Sequence, residues 1–273
     1  MTISVITAVL NNKAQIESCI NSVYSQTYPD IEHIIIDGGS TDGTLEVISR
    51  TTHNGLKLTQ DGAVFTNPQS PSAKHKTRDL RVISGPDNGI YDAMNKGLRM
   101  ATGDVVGFLN ADDLYAADNV LKTVAGCFER QNVDSCYGDL LYVDKNDTNK
   151  TIRCWKSSPF DSALLKKGWM PPHPTFFVKR KVYEKYGVFD TSFKIAADYE
   201  LMIRLLGKHG ISTNYIPELL VKMRVGGASN RSIRNIIIKS SEDYRAMKMH
   251  HVGSLATLLR KNLSKIPQFF SKQ

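Results

Sequence analysis

An α/β fold with a mostly parallel central sheet and helices on both faces is predicted by three observations. Short apolar runs rich in β-branched residues recur along the first half of the chain. Each is followed by a polar turn and a helix-like stretch. The unusual residues, carboxylates and amides among glycines, gather just after the runs, where open α/β sheets place their ligands.

The first run is Ile3 to Val9 and the second is His33-Ile34-Ile35-Ile36, each leading into a turn and a helical stretch. The alternation returns with a strand over Leu80 to Ser84, a helix over Asp92 to Ala101 and a strand over Asp104 to Leu109 that ends in acidic residues. The segment 51–79 is polar, carries Gly55, Gly62, Pro68 and Pro71, and reads as an insertion at the edge of the sheet. The chain divides into a domain over 1–228 and a basic, amphipathic helical extension over 229–273, where Arg231, Arg234, Lys239, Arg245 and Arg260 alternate with Leu255, Leu258, Leu259 and Leu263. Such a helix suits an anionic membrane surface, a packing face on the domain or pairing with another subunit.

The chain has 273 residues, 41% of them hydrophobic and 23% charged, enough for one sizeable core. Its net charge of +8 favours anionic partners without choosing among phosphorylated substrates, anionic lipid and nucleic acid. Cys19, Cys127, Cys136 and Cys154 form no C-x-x-C pair and no disulfide scaffold, so reduced thiols and a cytoplasmic location are expected. No run approaches the ~20 apolar residues that cross a bilayer, so the protein is expected to be either soluble or peripheral on the inner face of the cytoplasmic membrane.

Four loops carry chemistry. Asn11 and Asn12 follow the first strand, and Asp37-Gly38-Gly39-Ser40-Thr41-Asp42-Gly43-Thr44 follows the second. Thr41 or Asp42 is explained as a helix cap, whereas Asp37, directly after the strand, can accept from the N–H groups of a nucleobase. In the third loop Asp92 complements a helix dipole, while Asp87 lies where a base or ribose can reach it. The fourth, Asn110-Ala111-Asp112-Asp113, sets two carboxylates side by side, and their repulsion calls for a cation. Oxygen ligands select Mg²⁺ or Mn²⁺, and such an ion bridging a diphosphate neutralises charge on a nucleotide leaving group. The competing explanation of Asp113 is a helix cap.

The order Thr7-Ala8 with Asn11, then Asp37-Gly-Gly-Ser-Thr-Asp-Gly-Thr, then Asn110-Ala-Asp-Asp resembles the family 2 glycosyltransferases of the GT-A (nucleotide-diphospho-sugar transferase) fold, over roughly residues 1 to 225. The resemblance implies an inverting transfer of a sugar from a nucleotide-diphosphate donor, with UDP-sugars favoured, onto a glycan or lipid-linked acceptor in cell-surface polysaccharide biosynthesis. It also implies that Thr7 and Asp37 hold the base with Asp87 nearby, and that the Asp-x-Asp element holds metal and diphosphate. Asn110 stands where many relatives have the first Asp, which leaves Asp112 as the ligand, Asp113 as its helper and Asn110 to bond the ribose. Met170-Pro171-Pro172-His173-Pro174-Thr175 and Tyr186-Gly187-Val188-Phe189-Asp190 resemble the acceptor-side segment, with His173 near the diphosphate or metal. Asp198, at the mouth of the helix carrying Leu201 and Leu205, corresponds to the family's general base, and Glu200 is secondary.

Two other classes compete. A sugar nucleotidyltransferase needs a glycine-rich, basic loop after the first strand, which Thr7 to Lys13 lacks. A basic adaptor for nucleic acid or membrane surfaces explains the charge but not carboxylates gathered at strand ends, which repel a phosphate backbone, so no nucleic-acid partner is expected.

Overall fold

The computed structural model describes residues 1–52, 77–226 and 233–263. The insertion expected over 51–79 therefore lies, from 53 to 76, outside the described residues, as does the tail from 264.

The parallel half is built from β1 (Ile3–Val9), α1 (Ile16–Tyr24), β2 (Asp30–Asp37), α2 (Thr44–Thr51), β3 (Thr77–Ser84), α3 (Ile90–Met100) and β4 (Val105–Phe108). There follow β5 (Leu114–Tyr115), α4 (Val120–Arg130), β6 (Ser135–Val143), β7 (Thr151–Trp155), α5 (Ser162–Leu165), β8 (Phe177–Lys179) and α6 (Arg180–Tyr186). The chain closes with α7 (Ala197–Met202), β9 (Thr213–Arg224), α8 (Ile233–Met249) and α9 (Leu255–Leu263). Among the described residues the strands form one nine-stranded sheet in the order β3-β2-β1-β4-β8-β6-β9-β5, with β7 paired to β6. Strands β3, β2, β1 and β4 run parallel. Beyond them β8 is antiparallel to both β4 and β6, β9 is parallel to β6, and β5 and β7 are antiparallel.

Every residue of β1 is buried, as the central strand of a sheet covered on both faces must be. The period of two sorts them: Ile6 and Ala8 join the core under α3 with Met94 and Leu98. Ile3 and Val5 meet Cys19 and Val23 of α1, and Val9 meets Ile16 and Ile20 of α1 with Val47 and Ile48 of α2.

The described helices after residue 229 pack against the domain. Ala246 and Met247 of α8 are fully buried in the same core as Tyr199, Leu201 and Met202 of α7, and Leu258 of α9 joins them. Asp243 on α8 and Lys261 on α9 form a buried ion pair at 2.8 Å, with the ammonium over the Tyr199 ring. No helix among the described residues is long and apolar enough to cross a membrane.

Candidate functional site

At the carboxyl ends of β1 and β4 the loops enclose a cleft of about 910 Å³, within the range of small-molecule sites. Asn11, Asp87, Asn110, Asp112, His173 and Asp198 all line it, together with Tyr91, Lys194, Arg224, Asn235 and Ile238.

At one end, the loops after β1 and β2 clasp each other. Asn11 takes a left-handed backbone (φ 50°), which asparagine tolerates better than most residues, and its side-chain oxygen accepts from Thr41 N at 2.9 Å. Its own N–H donates to Ser40 Oγ at 2.8 Å. Asp42 accepts from Thr44 N and from Lys13 N and so steadies the turn into α2, whose N-cap is the next residue, Gly43, with no side-chain cap. Asp87 Oδ1 accepts from Gly89 N at 2.9 Å while the residue stays half-exposed in the cleft. Asp92 lies in the first turn of α3, accepting from Asn88 N and pairing with Lys96, and these interactions hold its carboxyl below the usual range.

Two residues expected at the nucleobase are not brought to the cleft. Thr7 lies one residue out of phase: it shares the α1 face of β1 with Val5 and Val9, fully buried, its hydroxyl 3.0 Å from His33 Nε2 and 4.0 Å from Cys19 Sγ. Asp37 is fully buried and accepts from Gly39 N, Ser40 N and Ser84 Oγ. Its carboxylate fixes the turn after β2 and ties it to the end of β3.

The adjacent carboxylates after β4 separate into two roles. Asp112 is half-buried and faces the cleft, whereas Asp113 is fully buried, accepting from Asn110 Nδ2 at 2.8 Å and from Arg224 N at 3.2 Å. Burial first, and the Asp112 charge second, raise the Asp113 pKa well above the ordinary carboxylate value. Its side chain is turned into the core and spent on these bonds, so Asp113, expected as a helper ligand, is not brought to the cleft. Arg224, which the sequence reading missed, donates to Asp112 O at 2.5 Å and to Ser18 Oγ at 3.1 Å, tying the acidic loop to β9 and α1. Its only signal was a basic residue closing an apolar run.

On the opposite wall the His173 ring stacks on Phe108 (5.6 Å) and meets Phe189 edge-on (5.8 Å). Nε2 is buried with no hydrogen-bond partner among the described residues. Burial lowers the His173 pKa against the pull of Asp198, so the imidazole is neutral at pH 7 with a ring nitrogen available to a ligand. Asp198 sits in the first turn of α7, its Oδ1 3.2 Å from the Tyr91 hydroxyl, which also donates to Ile195 O at 2.7 Å. Glu200 points away: it is buried against Arg204 and His250, whose bonds, overcoming the larger opposing effect of burial, hold its carboxyl below its ordinary value.

Among the described residues no three His, Cys, Asp or Glu groups converge as a self-sufficient metal cage. A hard divalent ion needs none, since Mg²⁺ or Mn²⁺ is held through one or two carboxylates plus substrate phosphates. Asp112 in the cleft and the unpartnered Nε2 of His173 fit such an ion.

Residues 4–187 match the family model described as glycosyl transferase family 2. A "PGL/p-HBAD biosynthesis glycosyltransferase" of Mycobacterium tuberculosis is 29% identical over 86% of this chain and 82% of its own. A glycosyltransferase of the same species, described as uncharacterized, is 30% identical over 74% of this chain and 68% of its own. Among solved structures, residues 1–349 of S. aureus TarS in complex with UDP-GlcNAc superpose with a TM-score of 0.66 over 98% of this chain and 78% of that one, at 16% identity. This chain spans only 44% of the longer TarS chain. A mannosyltransferase from Pyrobaculum calidifontis in complex with GDP-Man and Mn²⁺ gives a TM-score of 0.61 over 99% and 76%, at 18% identity. The fold is GT-A, and the adaptor and nucleotidyltransferase readings give way. With the acidic loop after β4 and Asp198 facing one cleft, the chain belongs to glycosyl transferase family 2.

Proposed function

We propose that the protein transfers a sugar from a nucleotide-diphosphate donor, UDP-linked in preference to GDP- or dTDP-linked, to a hydroxyl of a glycan or lipid-linked acceptor, inverting the anomeric centre. The observation that carries this reading is the placement of Asp112 and Asp198 in one cleft, one at the end of β4 and the other on α7. Asp198 takes the proton of the acceptor hydroxyl as its oxygen attacks the anomeric carbon. The bond from that carbon to the diphosphate breaks, and the nucleoside diphosphate leaves with the electron pair. Because attack comes from the face opposite the leaving group, an α-linked donor gives a β-linked product. Asp198 Oδ2 has no hydrogen-bond partner among the described residues, which leaves it for the hydroxyl. Asp112, with His173 beside the diphosphate, holds Mn²⁺ or Mg²⁺, which supplies charge neutralisation to the leaving group. Asn110 is tied to Asp113, so its remaining bonding capacity serves the ribose. Asn11 and Asp87 form the nucleoside end. The UDP preference is supported by TarS, solved with UDP-GlcNAc, and the GDP alternative by the mannosyltransferase.

Membrane contact by the C-terminal helices belongs to the same proposal. It is supported by exposed Ile236 and Ile237 beside Arg234 on α8, and by exposed Leu255 and Leu259 beside Arg260 on α9. Cosedimentation with anionic but not neutral vesicles is the expected result.

Calorimetric titration with UDP, GDP and dTDP in Mn²⁺ tests the donor site. Selective binding of one nucleotide, weakened by EDTA and by Asp112→Ala, is expected, and failure of all three to bind a folded sample overturns the reading. Asp198→Asn is expected to keep nucleotide affinity and to lower turnover by about 10²- to 10⁴-fold.

A further inference from the structure

The loop that delivers Asp198 is gripped from outside the segment that the family model matches. Residues 194–196, immediately before α7, would leave three consecutive backbone N–H groups without acceptors. All three instead donate to one side chain, Glu242 of α8: Lys194 N to Oε1 at 2.8 Å, Ile195 N to Oε2 at 2.8 Å and Ala196 N to Oε2 at 2.9 Å. Glu242 is 9% exposed, and hydrogen bonds to an ionised acceptor in such surroundings are the strong class. The Ile195 peptide is thereby clamped at both ends, its N–H by Glu242 and its C=O by the Tyr91 hydroxyl, which also touches Asp198. One turn further along α8, Arg245 donates to Ser192 Oγ at 2.8 Å and stacks its guanidinium 3.6 Å from the centre of the Phe193 ring.

We infer that Glu242 is a positioning residue for the transfer, fixing the 194–196 backbone so that Asp198 stands at the acceptor hydroxyl. The C-terminal helix α8 is then part of the active site. This rests on the reading of Asp198 as the base, and the control below separates the two. Reactions that depend on near-attack geometry lose on the order of 10²-fold when a group moves by about 1 Å, so the grip has kinetic consequences.

The test uses full-length Glu242→Ala, Glu242→Gln and Glu242→Met, with hydrogen exchange of the 190–199 backbone as the deciding measurement. Glutamine keeps one acceptor, whereas methionine fills the volume and accepts nothing. Exchange at 194–196 is expected to quicken roughly tenfold or more in the Ala and Met variants and less in Gln, with β1 and α3 unchanged. Affinity for UDP in Mn²⁺ is expected to stay within about twofold, because the nucleoside end lies on other loops, while turnover of UDP-GlcNAc at saturating donor falls on the order of 10²-fold without a change in KM. Equal protection in the Met and Gln variants, or faster exchange throughout the molecule, overturns the inference. Asp198→Asn is the control: if it turns over like the unmodified protein, the base assignment fails, while the exchange result still decides whether Glu242 holds the loop.

Discussion

Gly38 and Asp87 face each other so closely that a methyl group on Gly38 would stand 2.5 Å from Asp87 Oδ2. Gly38 does not need glycine for its backbone angles, as its neighbour Gly39 does at φ 87°. What it lacks is room for a side chain. Gly38→Ala therefore pushes Asp87 out of the place it takes in the cleft without straining the loop. Nucleotide affinity is expected to fall roughly tenfold, the scale of one misplaced charge-assisted hydrogen bond, with the melting temperature little changed. Titration of the variant with UDP checks this, and unchanged affinity removes Asp87 from the donor site.

Asp112 and Asp113 are adjacent, yet their alanine variants should fail in opposite ways. Asp113→Ala strips the acceptor from Asn110 Nδ2 and from the Arg224 N–H, both held by a fully buried carboxylate, and is expected to cost about 1–3 kcal/mol of stability. Asp112→Ala removes a cleft-facing group and should leave the melting temperature within about 2 °C while weakening the metal dependence of nucleotide binding. Thermal melts paired with calorimetry separate the two, and a stable Asp113→Ala protein with lost metal response would reverse the assignment.

The strand-end loops were legible because their chemistry is local: glycines, hydroxyls and carboxylates directly after apolar runs. Asn11, Asp87, Asn110, Asp112, His173 and Asp198 do line one cleft. Thr7 was not legible, because β1 is apolar on both faces and offers no alternation from which to read its phase. The inward turn of Asp113 was not legible for a related reason, since nothing in a pair of adjacent carboxylates says which one turns inward. The α8–α9 segment left both a membrane surface and a packing face open, because a basic amphipathic helix has the same composition whether its apolar side meets lipid or a core. Glu242 carried no signal at all, being one of two adjacent acids in a basic helix, and its three bonds depend on a loop 46 to 48 residues away.

Stability should fall in mild acid through His33. Burial drives its pKa from 6.5 down to about 3, and Nδ1 has no hydrogen-bond partner among the described residues to accommodate a proton. The folded-state pKa lies below the unfolded value, so the unfolded chain binds the proton first. The contribution is present above pH 6.5 and is lost as pH falls from 6.5 towards 3, by about 1.4 kcal/mol per unit. Between pH 6.5 and pH 5 that is about 2 kcal/mol, which His33→Gln should abolish. Denaturant midpoints at the two pH values, compared between variant and unmodified protein, measure the difference; equal slopes would mean that His33 is protonated without cost.

The C-terminal helices supply the last test, because a detached extension and an integral part of the domain respond differently to removal. Met247 is fully buried among the residues that pack α7, and the Asp243–Lys261 pair closes the same side. Met247→Ala should destabilise by about 2–5 kcal/mol, as core truncations do. A chain ending at residue 228 loses Glu242 from the Asp198 loop, His250 from Glu200 and the whole apolar cover of α7, so it should show no cooperative unfolding transition. The full-length protein melted beside it provides the reference. A truncated chain that unfolds cooperatively at the same temperature would support the boundary at 228 and make α8 an appendage. Its failure to fold would mean that the catalytic unit extends past residue 228, beyond both that boundary and residue 187 where the family match ends, because the helix that holds the acceptor-side loop also completes the core beneath it.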